Sequence, residues 1–362
     1  MSVKVILAEV ITNTQDKLIV DQRMEELQQL VNTYGGLTVT KIIQQRTVPN
    51  YTYYVGSGKL EEVRQLMLEA WAKILILGNI LKPRQIYNIT EYLRKDGLQV
   101  RDRVDLILQI FDRHAVSMEA RLQIELAAIQ HMGPRIFGMG MELSRQGGGS
   151  ATVRGIGETN TERMRRHLAQ RKQQITEKLK QYEQVRATHR QARRRCDMPT
   201  VGLVGYTNAG KSSLMNALTH KGVLVENKLF ATLGTSVWEL RIDDGAGGKM
   251  ILINDTIGFI RDLPPSLIQA FTSTLEDSIE ANLLLHVIDA SDPLLEDKIH
   301  IVDQILDQIG AHQPRVLVIN KIDIITPSRL KTLKRSFSDA QFLSAQIGEW
   351  LENLKVKILK SL

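Results

Sequence analysis

The sequence predicts an α/β protein in three parts: a small N-terminal α/β domain over residues 1–112, a two-helix antiparallel, coiled-coil-like hairpin over 113–197, and a doubly wound α/β domain over 198–362. Three observations predict it. Short β-rich runs alternate with helical patterns at both ends of the chain. Two long helical patterns flank a glycine-rich interval at 133–158, and a strand, a glycine loop and a helix follow one another after Met198.

In the first part, "VKVILAEV", "LTVTKIIQ", "AKILILG" and "GLQVR" read as strands, and "DQRMEELQQLVNTYG", "KLEEVRQLMLEAW" and "KPRQIYNITEYLRKDG" as helices. Pro83 opens the third helix, while Gly35 and Gly97 end the first and third. Strands joined through helices of that length imply right-handed crossovers and a mainly parallel sheet. In the middle part, "AVSMEARLQIELAAIQ" (115–130) carries Met118, Leu122, Leu126 and Ile129 on one stripe. A second helical pattern, Thr159 to Arg195, repeats Met164, Leu168, Ile175, Leu179, Tyr182 and Val185 at three-, four- and seven-residue steps, the seam of a two-helix packing. The last part has the length of one doubly wound domain.

A chain of 362 residues, 43% hydrophobic and 24% charged, builds real cores, which excludes disordered and collagen-like classes. No apolar run approaches the roughly 18 residues of a membrane helix, and "MSVKVILAEV" carries no signal pattern. A cytoplasmic protein with no membrane span, and a monomer, is expected. The single cysteine, Cys196, fits a reducing compartment. His114, His131, His167, His189 and His286 show no metal spacing with cysteine or carboxylate, so no zinc is expected. The net charge is +7, yet residues 161–195 alone hold 12 basic and three acidic side chains, the chain's whole positive excess. A solvated helix face and an RNA-binding face both remain open on charge alone.

The chemistry is concentrated after residue 198. Gly205-Tyr206-Thr207-Asn208-Ala209-Gly210-Lys211-Ser212 matches the phosphate-loop pattern between an apolar strand and a helix. Its glycines let backbone N–H groups turn around phosphates, Lys211 neutralises the β- and γ-phosphates, and Ser212 offers a hydroxyl to Mg²⁺. Asp255-Thr256-Ile257-Gly258 follows the run "KMILI", as a metal-nucleotide carboxylate at a strand end requires. Asn320-Lys321-Ile322-Asp323 selects guanine, because a carboxylate at 323 accepts the two N–H groups that adenine lacks. Ser344 and Ala345 can present amides to guanine O6. Between the phosphate loop and Asp255 a threonine should reach Mg²⁺, either Thr232 or Thr235. This order of motifs describes a phosphate-loop GTPase (G) domain. "GSGK" at 56–59 lacks the spacer and the hydroxyl of a second phosphate loop and reads as a helix-opening turn.

The chain resembles the HflX family of ribosome-associated GTPases in "YVGSGKLEEV" (54–63), "DRVDLILQIFDRHAVSMEARLQIELA" (102–127), "LSRQGGG" (143–149), "RGIGET" (154–159), "VGYTNAGKSSLMNAL" (204–218), "LFATL" (229–233), "DTIGFIRDLP" (255–264) and "LLLHVIDASDP" (284–293). The resemblance implies an N-terminal α/β subdomain, a two-helix subdomain and a G domain. It also implies binding of the large (50S) ribosomal subunit and its rRNA, in translation, ribosome splitting or rescue, or subunit biogenesis. Ser212 and Thr232 become the expected Mg²⁺ ligands. The expected GTP contacts are residues 205–212, Phe230, Ala231, Thr232, Leu233, Gly234, residues 255–258, residues 320–323, Ser344, Ala345 and Gln346. Where the family continues Asp-Pro-Thr-Thr after "FATL", this chain has Gly234-Thr235-Ser236-Val237. Arg145 and Arg154 are the expected RNA contacts at the hairpin tip.

The resulting expectation is hydrolysis of GTP to GDP and phosphate, with Lys211, Thr232 and Gly258 as catalytic residues and Asp255 reaching the metal through water. Residue 259, where many GTPases carry a water-orienting glutamine, is Phe259. Slow turnover, stimulated by the ribosome, follows; a GTP-gated binding module with negligible hydrolysis is the alternative. Asn208 occupies a place associated in some related GTPases with K⁺ near the phosphates.

Overall fold

The computed structural model describes residues 3–12, 17–115, 117–131, 151–195, 198–219, 236–242, 248–256, 258–263, 267–268 and 280–362. The chain packs as two compact units, Met1–Arg113 with Arg121–Leu179, and His114–Ala120 with Lys180–Leu362.

In the first unit, β1 (Val3–Thr12), β2 (Gly36–Arg46), β3 (Ile74–Leu77) and β4 (Gln99–Asp102) form a sheet of order β2-β1-β3-β4 in which every pair is parallel. Helices α1 (Lys17–Tyr34), α2 (Ser57–Glu69) and α3 (Pro83–Arg94) supply the crossovers. Such a sheet must be covered on both faces, and Ile6, Leu7, Leu75, Ile76 and Leu77 are fully buried. The punctuation acts as expected: Gly35 and Gly97 take φ of +86° and +67° just past α1 and α3, and Pro83 opens α3. Residues 56–59 do open α2.

Helix α4 (Arg103–His114) has no counterpart in the sequence reading. Val104, Leu106, Ile107, Leu108, Ile110 and Phe111 are all buried, while Asp112 and Arg113 are exposed, so the helix has a wide apolar face and a narrow polar one. Its N-terminus is closed by a capping box, with Asp105 N donating to Asp102 Oδ1 (2.9 Å) and Asp102 N donating to Asp105 Oδ2 (3.3 Å). His131, without a carboxylate neighbour by spacing, lies in space 3.2 Å from Asp102 Oδ1 and 3.5 Å from Asp105 Oδ1.

Two helices follow, α5 (118–131) and α6 (Ala151–Arg195). Arg171 grips Glu125 with two bonds of 2.6 and 2.7 Å, and Arg186 pairs with Glu119, so the contacts run in opposite directions along the two helices. The predicted stripes need correction. Leu122 and Ile175 are buried as expected, but Met118, Met164 and Val185 are exposed, and α5 also buries Ala120, Gln123, Ile124 and Ala127. Arginine–glutamate pairs do part of the holding that periodicity assigned to apolar residues. Helix α6 also starts eight residues before the predicted Thr159; Gly155 and Gly157 each cost about 1 kcal/mol against alanine, which weakens a helix without ending it.

The second unit contains a sheet of order β10-β9-β8-β5-β7-β6, built from β5 (Thr200–Gly205), β6 (Ser236–Ile242), β7 (Lys249–Asp255), β8 (Leu283–Asp289), β9 (Arg315–Asn320) and β10 (Gln341–Phe342). Only the edge strand β6 runs antiparallel. Helices α7 (Lys211–Thr219), α8 (Leu295–Gln308), α9 (Pro327–Ser336) and α10 (Leu351–Ser361) complete it. Val201, Leu203, Leu214, Met215, Ile253, Leu285, Val287, Leu354 and Ile358 belong to one core cluster. Among the described residues, no helix is long and apolar enough to cross a membrane.

His286 sits in β8, 2% exposed, with Nε2 lacking a hydrogen-bond partner among the described residues. Burial, reinforced by Arg315 and Lys211, pushes its pKa down to about 3. The folded state therefore keeps it neutral while the unfolded chain protonates it below about pH 6.5, so stability falls as the pH drops from 6.5 towards 3. Denaturant unfolding of His286→Asn should lack about 2 kcal/mol of the loss that wild type shows between pH 7 and pH 5. Parallel pH profiles would refute this.

Candidate functional site

Strand β5 ends at Gly205, and the turn through Gly210 delivers Lys211 to the first position of α7. The loop's path needs its glycines. Gly205 (φ +148°) passes so close to β8 that a Cβ would stand 2.2 Å from Val287 O, and at Gly210 (φ +92°) a Cβ would stand 2.3 Å from Asn320 Nδ2. Asn208 is left-handed too (φ +63°), which asparagine tolerates. The helix N-terminus behind the loop favours an anion.

Lys211 is buried and folds back onto the loop, its Nζ donating to Tyr206 O (3.0 Å) and Gly205 O (3.2 Å). Burial pushes the ammonium down to about 8, an effect opposed by the Asp255 carboxylate. Asp255, wholly buried at the end of β7, accepts from Ser212 Oγ at 2.6 Å. A hydroxyl and a carboxylate converging this way are the hard oxygen donors that suit Mg²⁺. Thr207 Oγ1 is buried with no hydrogen-bond partner among the described residues. Thr256, by contrast, spends its hydroxyl on Leu203 O (2.6 Å), inside the sheet.

Gly258 lies against Lys211: a Cβ there would stand 2.9 Å from Nζ and 2.8 Å from Thr207 Cγ2. Phe259 is 2% exposed. Its amide donates to Gly205 O (3.0 Å) and its carbonyl accepts from Thr207 N (2.7 Å). Arg261 N then donates to Tyr206 Oη at 2.8 Å. Phe259 is thus a core residue whose backbone continues the sheet beside the phosphate loop.

At the other end of the loop, Asn320 Nδ2 donates to Ala209 O (3.0 Å) and Asn320 Oδ1 accepts from Ala345 N (3.0 Å). Lys321, left-handed at φ +64°, sends Nζ to Asn208 O (2.8 Å) and Asp289 Oδ2 (2.6 Å). Ile322 is buried, Asp323 is exposed at the loop's rim, and Ser344 and Ala345 are buried beside exposed Gln346. The structure therefore brings together residues 205–212, Asp255, Gly258, Asn320, Lys321 and Ala345 around one loop. Phe230, Ala231, Thr232, Leu233, Gly234 and Ile257 lie outside the described residues, as do Thr235, Arg145 and the Arg154 side chain. Sequence reasoning placed Tyr206 in the phosphate loop but did not single out Asp289; an aspartate ending the apolar run "LLLHVID" was the available signal.

Three family models match: "GTP-binding GTPase N-terminal" over residues 21–112, "GTP-binding GTPase Middle Region" over 114–193, and "50S ribosome-binding GTPase" over 200–321. The chain is 42% identical over 323 residues to "GTPase HflX" of Caldanaerobacter subterraneus subsp. tengcongensis, spanning 89% of this chain and 73% of that protein. It is 39% identical over 344 residues to "GTPase HflX" of Escherichia coli, spanning 94% and 79%. Among solved structures it is similar to a GTP-binding protein from the hyperthermophilic archaeon Sulfolobus solfataricus in complex with GDP (26% identity, TM-score 0.50, 100% and 98% of the two chains). A complex of SsGBP with GDP is similar to the same extent in sequence, with a TM-score of 0.56 and coverage of 99% and 98%. With its phosphate loop, its guanine loop and relatives of this likeness along nearly its whole length, the chain belongs to the HflX family of GTPases.

Proposed function

We propose that this GTPase binds the large (50S) ribosomal subunit in its GTP state, acts in ribosome splitting, rescue or biogenesis in the cytoplasm, and hydrolyses GTP slowly until the ribosome stimulates it. The observation that carries the catalytic reading is the convergence at the N-terminus of α7 of the Ser212–Asp255 hydrogen bond and of Gly258 packed against Lys211. Water attacks the γ-phosphorus, and the bond to the β,γ-bridging oxygen breaks to leave GDP and phosphate. Lys211 exchanges its two carbonyl partners for phosphate oxygens and stabilises the charge that develops on them. Gly258 offers its N–H to the γ-phosphate, and Asn320, Lys321, Asp323 and residues 344–346 hold the guanine. Ser212 and Thr232 would hold Mg²⁺, with Asp255 behind them through water. When bound, that ion supplies charge neutralisation across the β- and γ-phosphates.

Phe259 is sealed in the core and has no donor for the attacking water, which supports slow intrinsic turnover. Helix α6, with exposed Arg163, Arg165, Arg166, Lys172, Lys178 and Lys180, suits contact with rRNA phosphates. The three-part division at 1–112, 113–197 and 198–362, and a monomeric state, belong to the same reading; the spans of the three family models support the division. The position of Asn208, beside the loop's phosphate-facing turn, supports K⁺ as a further ion.

Single-turnover GTP hydrolysis should accelerate on adding purified large subunits, and Lys211→Ala should lose about 100-fold or more of that rate; saturating subunits without acceleration would sink the reading. Sedimentation with the subunits should weaken along a straight line in log–log salt, with a smaller slope for a variant carrying Glu at positions 163, 165 and 166. An unchanged slope removes α6 from the interface. Hydrolysis in K⁺ should exceed that in Na⁺ at equal ionic strength, and equal rates would discard the potassium site.

A further inference from the structure

We propose that Asp289 is a positioning residue for the guanine base, holding the Lys321 side chain in the place where the base must lie; this rests on the GTP reading above. Asp289 ends β8 and is paired across the sheet with Asn320, the residue before Lys321. Its two oxygens have separate duties. Oδ1 accepts from Ser291 N (2.9 Å) and Ser291 Oγ (2.6 Å), which fixes the carboxylate's orientation. Oδ2 then faces Lys321 Nζ at 2.6 Å, the length of a charge-assisted bond.

Lys321 Nζ also donates to Asn208 O at 2.8 Å. The lysine stem is thereby pulled across the mouth of the phosphate loop, its Cε 3.9 Å from where a Cβ on Gly210 would be. A lysine stem is flexible, and a single bond to a carbonyl would leave it many rotamers. The second anchor removes that freedom before nucleotide arrives, so less ordering remains to oppose binding. Lys321 takes a left-handed backbone that lysine rarely adopts, and such outliers persist where the surroundings over-determine them. Asp289 supplies part of that determination. Reading of the guanine edge stays with Asp323, so Asp289 governs affinity for purine nucleotides in general and leaves the choice among them alone.

The test is titration of the full-length protein with fluorescent GDP and IDP, using Asp289→Asn, Lys321→Ala and the double variant, with thermal unfolding recorded for each. Asp289→Asn should weaken both nucleotides by about tenfold or more at an unchanged GDP-to-IDP ratio. The double variant should bind no more weakly than Lys321→Ala alone, as expected when one residue acts through the other. A merely structural aspartate would lower the melting temperature and multiply its loss with that of Lys321→Ala. If Asp289→Asn fails to fold, Ser291→Ala replaces it and should weaken GDP severalfold only while Lys321 is present. Wild-type affinity in Asp289→Asn or Ser291→Ala, or multiplicative losses, overturns the proposal. Absence of GDP binding by the wild type would overturn the nucleotide reading itself.

Discussion

One buried amide holds the catalytic half of this molecule together. Asn320 donates to the phosphate loop at Ala209 and accepts from Ala345, so a single side chain joins segments 111 and 25 residues away. Both bonds lie in the interior, where an unmet polar partner costs about 1–3 kcal/mol. Neither segment can drift from the other without leaving such a group behind. Gly210 carries no side chain because Asn320 Nδ2 occupies the space a Cβ would take. The guanine end and the phosphate end of the site are therefore built as one object. Residues that nucleotide must touch at once are set in register before it binds.

The legible parts of the sequence were those in which chemistry restricts both residue type and spacing. Gly205, Gly210, Lys211, Ser212 and Asp255 come together around one loop, because a tight backbone turn, a buried cation and a hydroxyl–carboxylate pair admit few alternatives. The strands and helices of the first unit were legible for a similar reason, since Pro83, Gly35 and Gly97 mark positions that other residues fill poorly. The failures share a cause as well. Helix α4 begins at the residue after β4 ends, so no glycine or proline separates strand from helix in the sequence. The hairpin's stripes misled because Glu119, Glu125, Arg171 and Arg186 hold it through pairs that a hydrophobic pattern reads as solvated. His131 meets two aspartates nearly thirty residues away, a proximity made by folding alone.

Phe259 shows how a residue beside the phosphate loop can serve the core in place of the cleft. A side chain that is to orient water must reach into the nucleotide cleft, and a hydrophobic one placed there would expose apolar surface. In this structure the conflict is resolved by turning residue 259 into the core and using its backbone, bonded to Gly205 and Thr207, to extend the sheet beside the phosphate loop. The segment after Asp255 is tied down further through Arg261 N and Tyr206 Oη. Lys211, meanwhile, satisfies itself with two loop carbonyls and sits in surroundings that disfavour its charge. In the proposed reaction arriving phosphates relieve that burial cost and compete for the same ammonium; Gly258 stands against Nζ at the same point. The Gly258–Arg261 segment and the Lys211 ammonium are therefore packed together beside the phosphate loop. On the proposed reading, a partner that acts on this segment also acts on the lysine beside the phosphates, and the absence of a glutamine at 259 is the reason to expect stimulation by that partner.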